Sequence, residues 1–162
     1  MVKNKYFALV FRSAALIIAV AGVMAMIGLF SGEPQPRLLM YYTTQSNILA
    51  IALFIMLVAR TVSGLRGGRF GNVGYFARFE MICVIDLLLT LLVYWILLAP
   101  VVFTTVEKYS FWTFDNLVVH GVTPLMCLLD YILFTQPRHL KYPDTHFVMI
   151  YPLFYLVATS AA

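Results

Sequence analysis

The sequence predicts an all-α, polytopic transmembrane helical bundle, and three observations lead there. The chain of 162 residues is 62% hydrophobic and only 11% charged, with a mean hydropathy of +0.90. Soluble domains hold about 45–50% apolar and about 25% charged residues, so water is the wrong solvent for this composition. The apolar runs approach the roughly 20 residues that cross a hydrocarbon core. None alternates apolar and polar positions as a barrel strand does, which leaves helices as the spanning structure.

Five spans accommodate these runs: residues 6–30, 38–58, 77–98, 115–134 and 145–162. Pro34 and Pro36, the glycines at 64, 67, 68, 71 and 74, and Pro137 and Pro143 mark the turns between them. No loop is long enough for a second domain and no internal repeat is evident, so residues 1–162 read as a single transmembrane domain.

Short cytoplasmic loops retain Lys and Arg, which sets the orientation. Lys3, Lys5 and Arg12 are counted before span one. Arg60, Arg66, Arg69 and Arg78 fall between spans two and three, and Arg138 and Lys141 between four and five. The alternate loops hold only Arg37 and Lys108, against Glu33, Glu107 and Asp115. The amino terminus is therefore expected in the cytoplasm and Ala162 outside. Ala19-Val20-Ala21 has the form of a signal-peptide cleavage site, yet the apolar run continues to Phe30, as a span does.

The formal charge of +4 is explained by these loops and calls for no nucleic acid. The Gly-rich basic loop from Gly64 to Arg78 reads first as a topology determinant and second as a binder of anionic headgroups. Cys83 and Cys127 fall within spans at different depths, where packing thiols are expected rather than a disulfide.

Two polar clusters carry the functional reading, because polar groups inside a membrane usually face partners, water or substrate. Tyr41-Tyr42-Thr43-Thr44-Gln45-Ser46-Asn47 opens span two, and Asp115-Asn116-Leu117-Val118-Val119-His120 opens span four. Thr43 and His120 each lie five residues into their spans, roughly 7–8 Å below the outer boundary. Thr43, Ser46 and Asn47 share a helix face by spacing, as do Asn116, His120 and Thr123.

An imidazole that accepts a hydroxyl proton makes attack on an ester carbonyl feasible, with an acyl-enzyme left for water to cleave. Ser46, Asn47 and Asn116 are candidate donors to the developing oxyanion. No third member of a triad is evident: Asp130 lies ten residues beyond His120, about 15 Å along the axis, and Asp115 points to another side. The competing reading is that these Ser, Thr, Asn and His side chains merely join helices by hydrogen bonds. Pro124 leaves a backbone carbonyl unpaired that Thr123 or His120 would satisfy.

The segment from Tyr41 to Asn47, with Asn116, His120, Pro124 and the run from Leu125 to Leu133, resembles the androgen-induced and androgen-dependent integral membrane protein family and its bacterial relatives. The similarity extends over most of the chain, including Tyr151-Pro152-Leu153-Phe154-Tyr155. The resemblance implies six spans and, from the animal members, hydrolysis of fatty acid esters of hydroxy fatty acids by a Thr nucleophile and a His. Thr43 then matches the nucleophile, His120 the catalytic His, and Asn116 an Asn one turn before it. Two departures matter. The chain shows five spans, so a sixth is lost or lies outside it, and the missing helix would either open the site or require a partner chain, such as a second copy. Gln45-Ser46-Asn47 also differs from the animal pattern, so the exact lipid substrate does not carry over.

The leading expectation is an intramembrane lipid-ester hydrolase in a bacterial inner membrane, needing no cofactor. A non-catalytic lipid-binding or transport protein using the same pocket, with Asp86 and Asp130 as coupling groups, is the alternative; a structural membrane subunit is a third. Asp86 and Asp130 are placed toward the cytoplasmic half, as a proton or cation site or as structural partners of Tyr, Thr or Arg. Glu80 and Arg78 are expected at the inner interface. His139 and His146 lack a third metal ligand at a recognisable spacing. Tyr109, Phe111, Trp112 and Phe114 suit an outer aromatic belt, or a lid over the cavity.

Overall fold

The computed structural model describes residue 2 and residues 4–68, 75–105, 112–135 and 142–160. Every element among them is helical. Four helices are long and apolar enough to cross a membrane: Lys5–Met26, Tyr42–Leu65, Phe76–Val102 and Phe114–Phe134, of 22, 24, 27 and 21 residues. The protein is an all-α membrane helical bundle.

The first two spans are α1 (Lys5–Met26) and α2 (Tyr42–Leu65). The third joins α3 (Tyr75–Leu92) to α4 (Ala99–Thr105) through a π-helical turn at Val93–Leu98. The fourth joins α5 (Phe114–Leu117) to α6 (Thr123–Phe134) through a second π turn at Val118–Val122. A 3₁₀ stretch, Tyr142–Met149, leads into α7 (Ile150–Ser160). α7 has 11 residues among those described, against 21 to 27 in the four long helices. Its expected first residues, 145–149, are 3₁₀ rather than α.

Local chemistry fixes the ends. The Asn4 side chain accepts the amides of Tyr6 and Phe7 and caps α1. Gly28, at φ +80°, turns the chain away after Met26, so span one is shorter than the apolar run to Phe30. A Cβ there would also overlap the Glu33 carbonyl. Pro36 opens a 3₁₀ turn, Pro36–Met40, which delays α2 to Tyr42 although hydropathy rises at residue 38. At its other end α2 outlasts the apolar run at 58. The Arg60 guanidinium lies 4.7 Å from the Phe76 ring centroid, and the Thr61 hydroxyl donates to the Leu57 carbonyl at 2.7 Å.

Packing follows two interlocking stripes. Ala8, Arg12, Ala15, Ala19 and Gly22 are buried on α1 at alternating spacings of four and three. Asn47, Ala50, Phe54, Leu57, Thr61 and Gly64 repeat the pattern on α2. Small residues let helix backbones approach closely where lipid offers no hydrophobic drive. The core then gathers Ala15 with Leu53, Phe54 and Leu57 of α2, Leu87 of α3 and Cys127 of α6. Cys83 joins the same core, and both thiols are free and buried.

Three charged residues depart from expectation. Arg12 lies within α1 at 1% exposure rather than before a span. Its Nε and Nη2 donate to the two carboxylate oxygens of Asp130 at 2.8 and 2.9 Å, and Nη1 donates to Thr61 at 2.8 Å. A charge can stay in the span because its partner satisfies it. Glu80 is fully buried within the bundle rather than exposed, and accepts the hydroxyl of Thr135, at the end of the fourth span, at 2.6 Å. Asp86 does not share a region with Asp130; it accepts the hydroxyl of Tyr42, the first residue of α2, at 3.0 Å. Lys3, Arg69, Gly71, Gly74, Glu107, Lys108, Tyr109, Phe111, Pro137, Arg138, His139, Lys141 and Ala162 lie outside the described residues.

Candidate active site

Each π turn ends two residues before a proline, Pro100 in the third span and Pro124 in the fourth. Proline has no N–H to give the preceding turn, and the ladder widens to a five-residue spacing: Ala99 donates to the Tyr94 carbonyl and Thr123 to the Val118 carbonyl. The carbonyls that Pro124 cannot reach are taken by neighbouring helices. Trp95 Nε1 donates to the His120 carbonyl and Asn47 Nδ2 to the Val119 carbonyl, both at 3.0 Å. The expected role of Thr123 or His120 side chains in satisfying them is thus filled by Asn47 and Trp95.

The two widened turns bring Tyr94 against His120. Their rings are stacked, with centroids 3.6 Å apart and planes 8° from parallel. Tyr94 also lines a predominantly apolar cavity of about 390 Å³ with Thr43, Tyr41, Thr90, Tyr155 and Leu156. Of the candidate residues Thr43, Ser46, Asn47, Asn116 and His120, Thr43 lines this cavity and the other four do not. Thr44 turns the other way, fully buried, with its hydroxyl 3.4 Å from Met26 Sδ on α1. The late start of α2 places Thr43 second in its helix rather than five residues deep.

Ser46 and Asn47 share the Thr43 side of α2, but their donors are engaged. Ser46 Oγ donates to the Thr43 carbonyl at 3.0 Å and lies 3.1 Å from Thr90 Oγ1. Both donor contacts of Asn47 run to carbonyls, those of Thr43 at 2.8 Å and Val119. They brace the site and are not aimed at a substrate oxyanion. Asn116 is half-buried in α5, with the π turn shifting the helical phase between it and Thr123. Better-placed donors are backbone groups. The first intrahelical amide bond of α2 runs from Gln45 to the Tyr41 carbonyl, so the amides of Tyr42, Thr43 and Thr44 precede the ladder and have no helical acceptor.

No protein-family model, curated protein or solved structure matches the chain.

Four buried polar atoms among the described residues have no hydrogen-bond partner: Asn47 Oδ1, His120 Nδ1, Thr123 Oγ1 and Asp86 Oδ2. Each belongs to a residue at most 6% exposed. Burial without a partner is costly, and such atoms cluster at sites that bind or react. Trp112 and Phe114 are exposed, as belt residues would be, and Trp112 packs 6.2 Å from Trp95.

The sequence reading missed Tyr94, Thr90 and Trp95. Two signals were available, since Pro100 follows Tyr94 by six residues where Pro124 follows His120 by four, and Thr90 stands one turn beyond Asp86 in an apolar stretch.

Proposed function

We propose that the protein is an intramembrane lipid-ester hydrolase in which Thr43 is the nucleophile and His120 the base. The observation that carries this reading is the apolar cavity with Thr43 in its wall and the His120 imidazole stacked on Tyr94 of the same wall. An acyl chain fills the apolar part and sets its ester carbonyl beside Thr43 Oγ1 at the head of α2. The incoming ester displaces the Tyr94 ring, and His120 takes the Thr43 proton as Oγ1 attacks the carbonyl carbon. The oxyanion is held by the free amides opening α2, where the helix dipole also favours negative charge. The imidazolium then protonates the departing alkoxide. Water cleaves the acyl-threonine in a second round through the same base. The resemblance to hydroxy-fatty-acid ester hydrolases supports the substrate class.

The basic residues around α1 and in the loop after α2 support a cytoplasmic amino terminus, as in a bacterial inner-membrane protein. The cavity then lies toward the outer leaflet, where lipid enters laterally.

A second reading, non-catalytic lipid binding in the same cavity, is favoured by the Tyr94 ring lying over the imidazole. Release of fatty acid from a fatty-acyl ester of a hydroxy fatty acid, by purified protein in liposomes, separates the two. Thr43→Ala and His120→Ala should each lower release by about 10²-fold or more, with Thr44→Ala near the parent. Saturable ester binding without release in the parent would select the second reading.

A further inference from the structure

Asp86 stands out among the buried acids that the hydrolytic site does not use. Its carboxylate is 1% exposed, one oxygen accepts from Tyr42, and the other has no partner. Asp130, equally buried, is neutralised by Arg12. No Lys, Arg or His among the described residues reaches Asp86; the titratable groups around it are Tyr42 of α2, Tyr151 of α7 and Cys83 of its own helix. None of these brings positive charge. A carboxylate without a counter-charge at membrane depth is too costly to persist, so its charge must be compensated by something that binds.

Side-chain oxygens lie on the adjoining helical turns. Tyr42 and Ser46 are one turn apart on α2, and Asp86 and Thr90 one turn apart on α3. Two side-chain contacts link the pairs, Tyr42 to Asp86 at 3.0 Å and Ser46 to Thr90 at 3.1 Å. The Thr90 hydroxyl donates to the Asp86 carbonyl at 3.0 Å, and Ser46 Oγ can give its own proton to the Thr43 carbonyl. With these protons directed at backbone, the two hydroxyl oxygens keep lone pairs one helical turn from the Tyr42–Asp86 pair. No three of His, Cys, Asp and Glu gather as metal ligands among the described residues, so the set does not suit a transition metal.

We infer that Asp86, with Ser46, Thr90 and Tyr42, forms a site for a small monovalent cation, Na⁺ or a proton, in the α2/α3 interface. Because Tyr42 and Thr90 also line the acyl cavity, occupancy of the two sites is linked. The site does not depend on ester hydrolysis.

The test uses the full chain in detergent and follows its thermal unfolding midpoint by Trp fluorescence. NaCl is titrated against choline chloride at constant ionic strength, and pH is varied from about 4, near the ordinary Asp value, up to about 9. Bound Na⁺ gives a saturable upward shift over choline in the parent that Asp86→Asn loses. A bound proton gives no Na⁺ shift, but a pH dependence of the midpoint that Asp86→Asn loses. Identical responses of parent and Asp86→Asn to both variables overturn the assignment. Should Asp86→Asn fail to fold, Tyr42→Phe, which removes the hydroxyl donor to Asp86, takes its place. A response to Na⁺ or pH altered from the parent supports the site, and an unaltered one overturns it.

Discussion

Tyr94 and His120 meet face to face, 3.6 Å between ring centroids, across two π turns that each precede a proline. The stack holds the imidazole plane and shields it from the cavity. Tyr94→Phe retains a ring and should unfold at a higher temperature than Tyr94→Leu does. Tyr94→Leu loses the stack, and should be less stable by about 0.5–1.5 kcal/mol beyond the lost burial. Thermal unfolding of the two variants side by side checks this, and equal midpoints would refute it.

The Arg12–Asp130 pair sets up a stability contrast. Asp130→Asn or Arg12→Met alone leaves a buried charge or donor set without its partner, and should cost about 3–5 kcal/mol. Replacing both by apolar residues, Arg12→Met with Asp130→Leu, should recover most of the loss. Unfolding of the single and double variants in detergent measures it; a double variant as weak as the sum of the singles would show that the pair is not the unit.

Gly22 lies where α1 meets the π turn of the fourth span, and an added Cβ would overlap Val118. Val is stiff at χ1 and cannot swing away cheaply. Gly22→Ala should cost about 1–3 kcal/mol, and Val118→Ala in the same chain should restore part of it. Equal stability of parent and Gly22→Ala would mean that the two helices part without cost.

Asn47 joins α2 to the carbonyl that Pro124 leaves unpaired. Asn47→Leu leaves the buried Val119 carbonyl without its donor, while the Thr43 carbonyl keeps the Ser46 hydroxyl, and should cost about 1–3 kcal/mol. Faster amide hydrogen exchange in the fourth span, concentrated around Val118–Val122, is the expected local sign. Exchange unchanged there would remove Asn47 as the brace.

The helical bundle was legible because composition and run length speak directly about the solvent. Thr43 and His120 were legible as polar residues at comparable places in two apolar runs. The ends of α2 were not, because Pro36 and Arg60 act through local geometry that hydropathy ignores. Arg12 was misread because a sequence shows a charge but not the Asp130 that neutralises it from 118 residues away. Ser46 and Asn47 sat on the expected face, yet their donors were bound for backbone carbonyls. Those carbonyls become available through prolines and helix contacts that spacing alone does not reveal. Helix phase inferred at 3.6 residues per turn also fails across the π turn that separates Asn116 from Thr123.

Labelling of the purified protein with a fluorophosphonate probe asks most directly whether Thr43 is an activated nucleophile. The comparison sets the parent beside Thr43→Ala, Thr44→Ala and His120→Ala, with folding of each confirmed by its unfolding transition. A covalent adduct on Thr43 in the parent and in Thr44→Ala, lost in Thr43→Ala and His120→Ala, is the predicted result. A folded parent that takes no label, or labels equally without Thr43, would contradict a Thr43–His120 hydrolase.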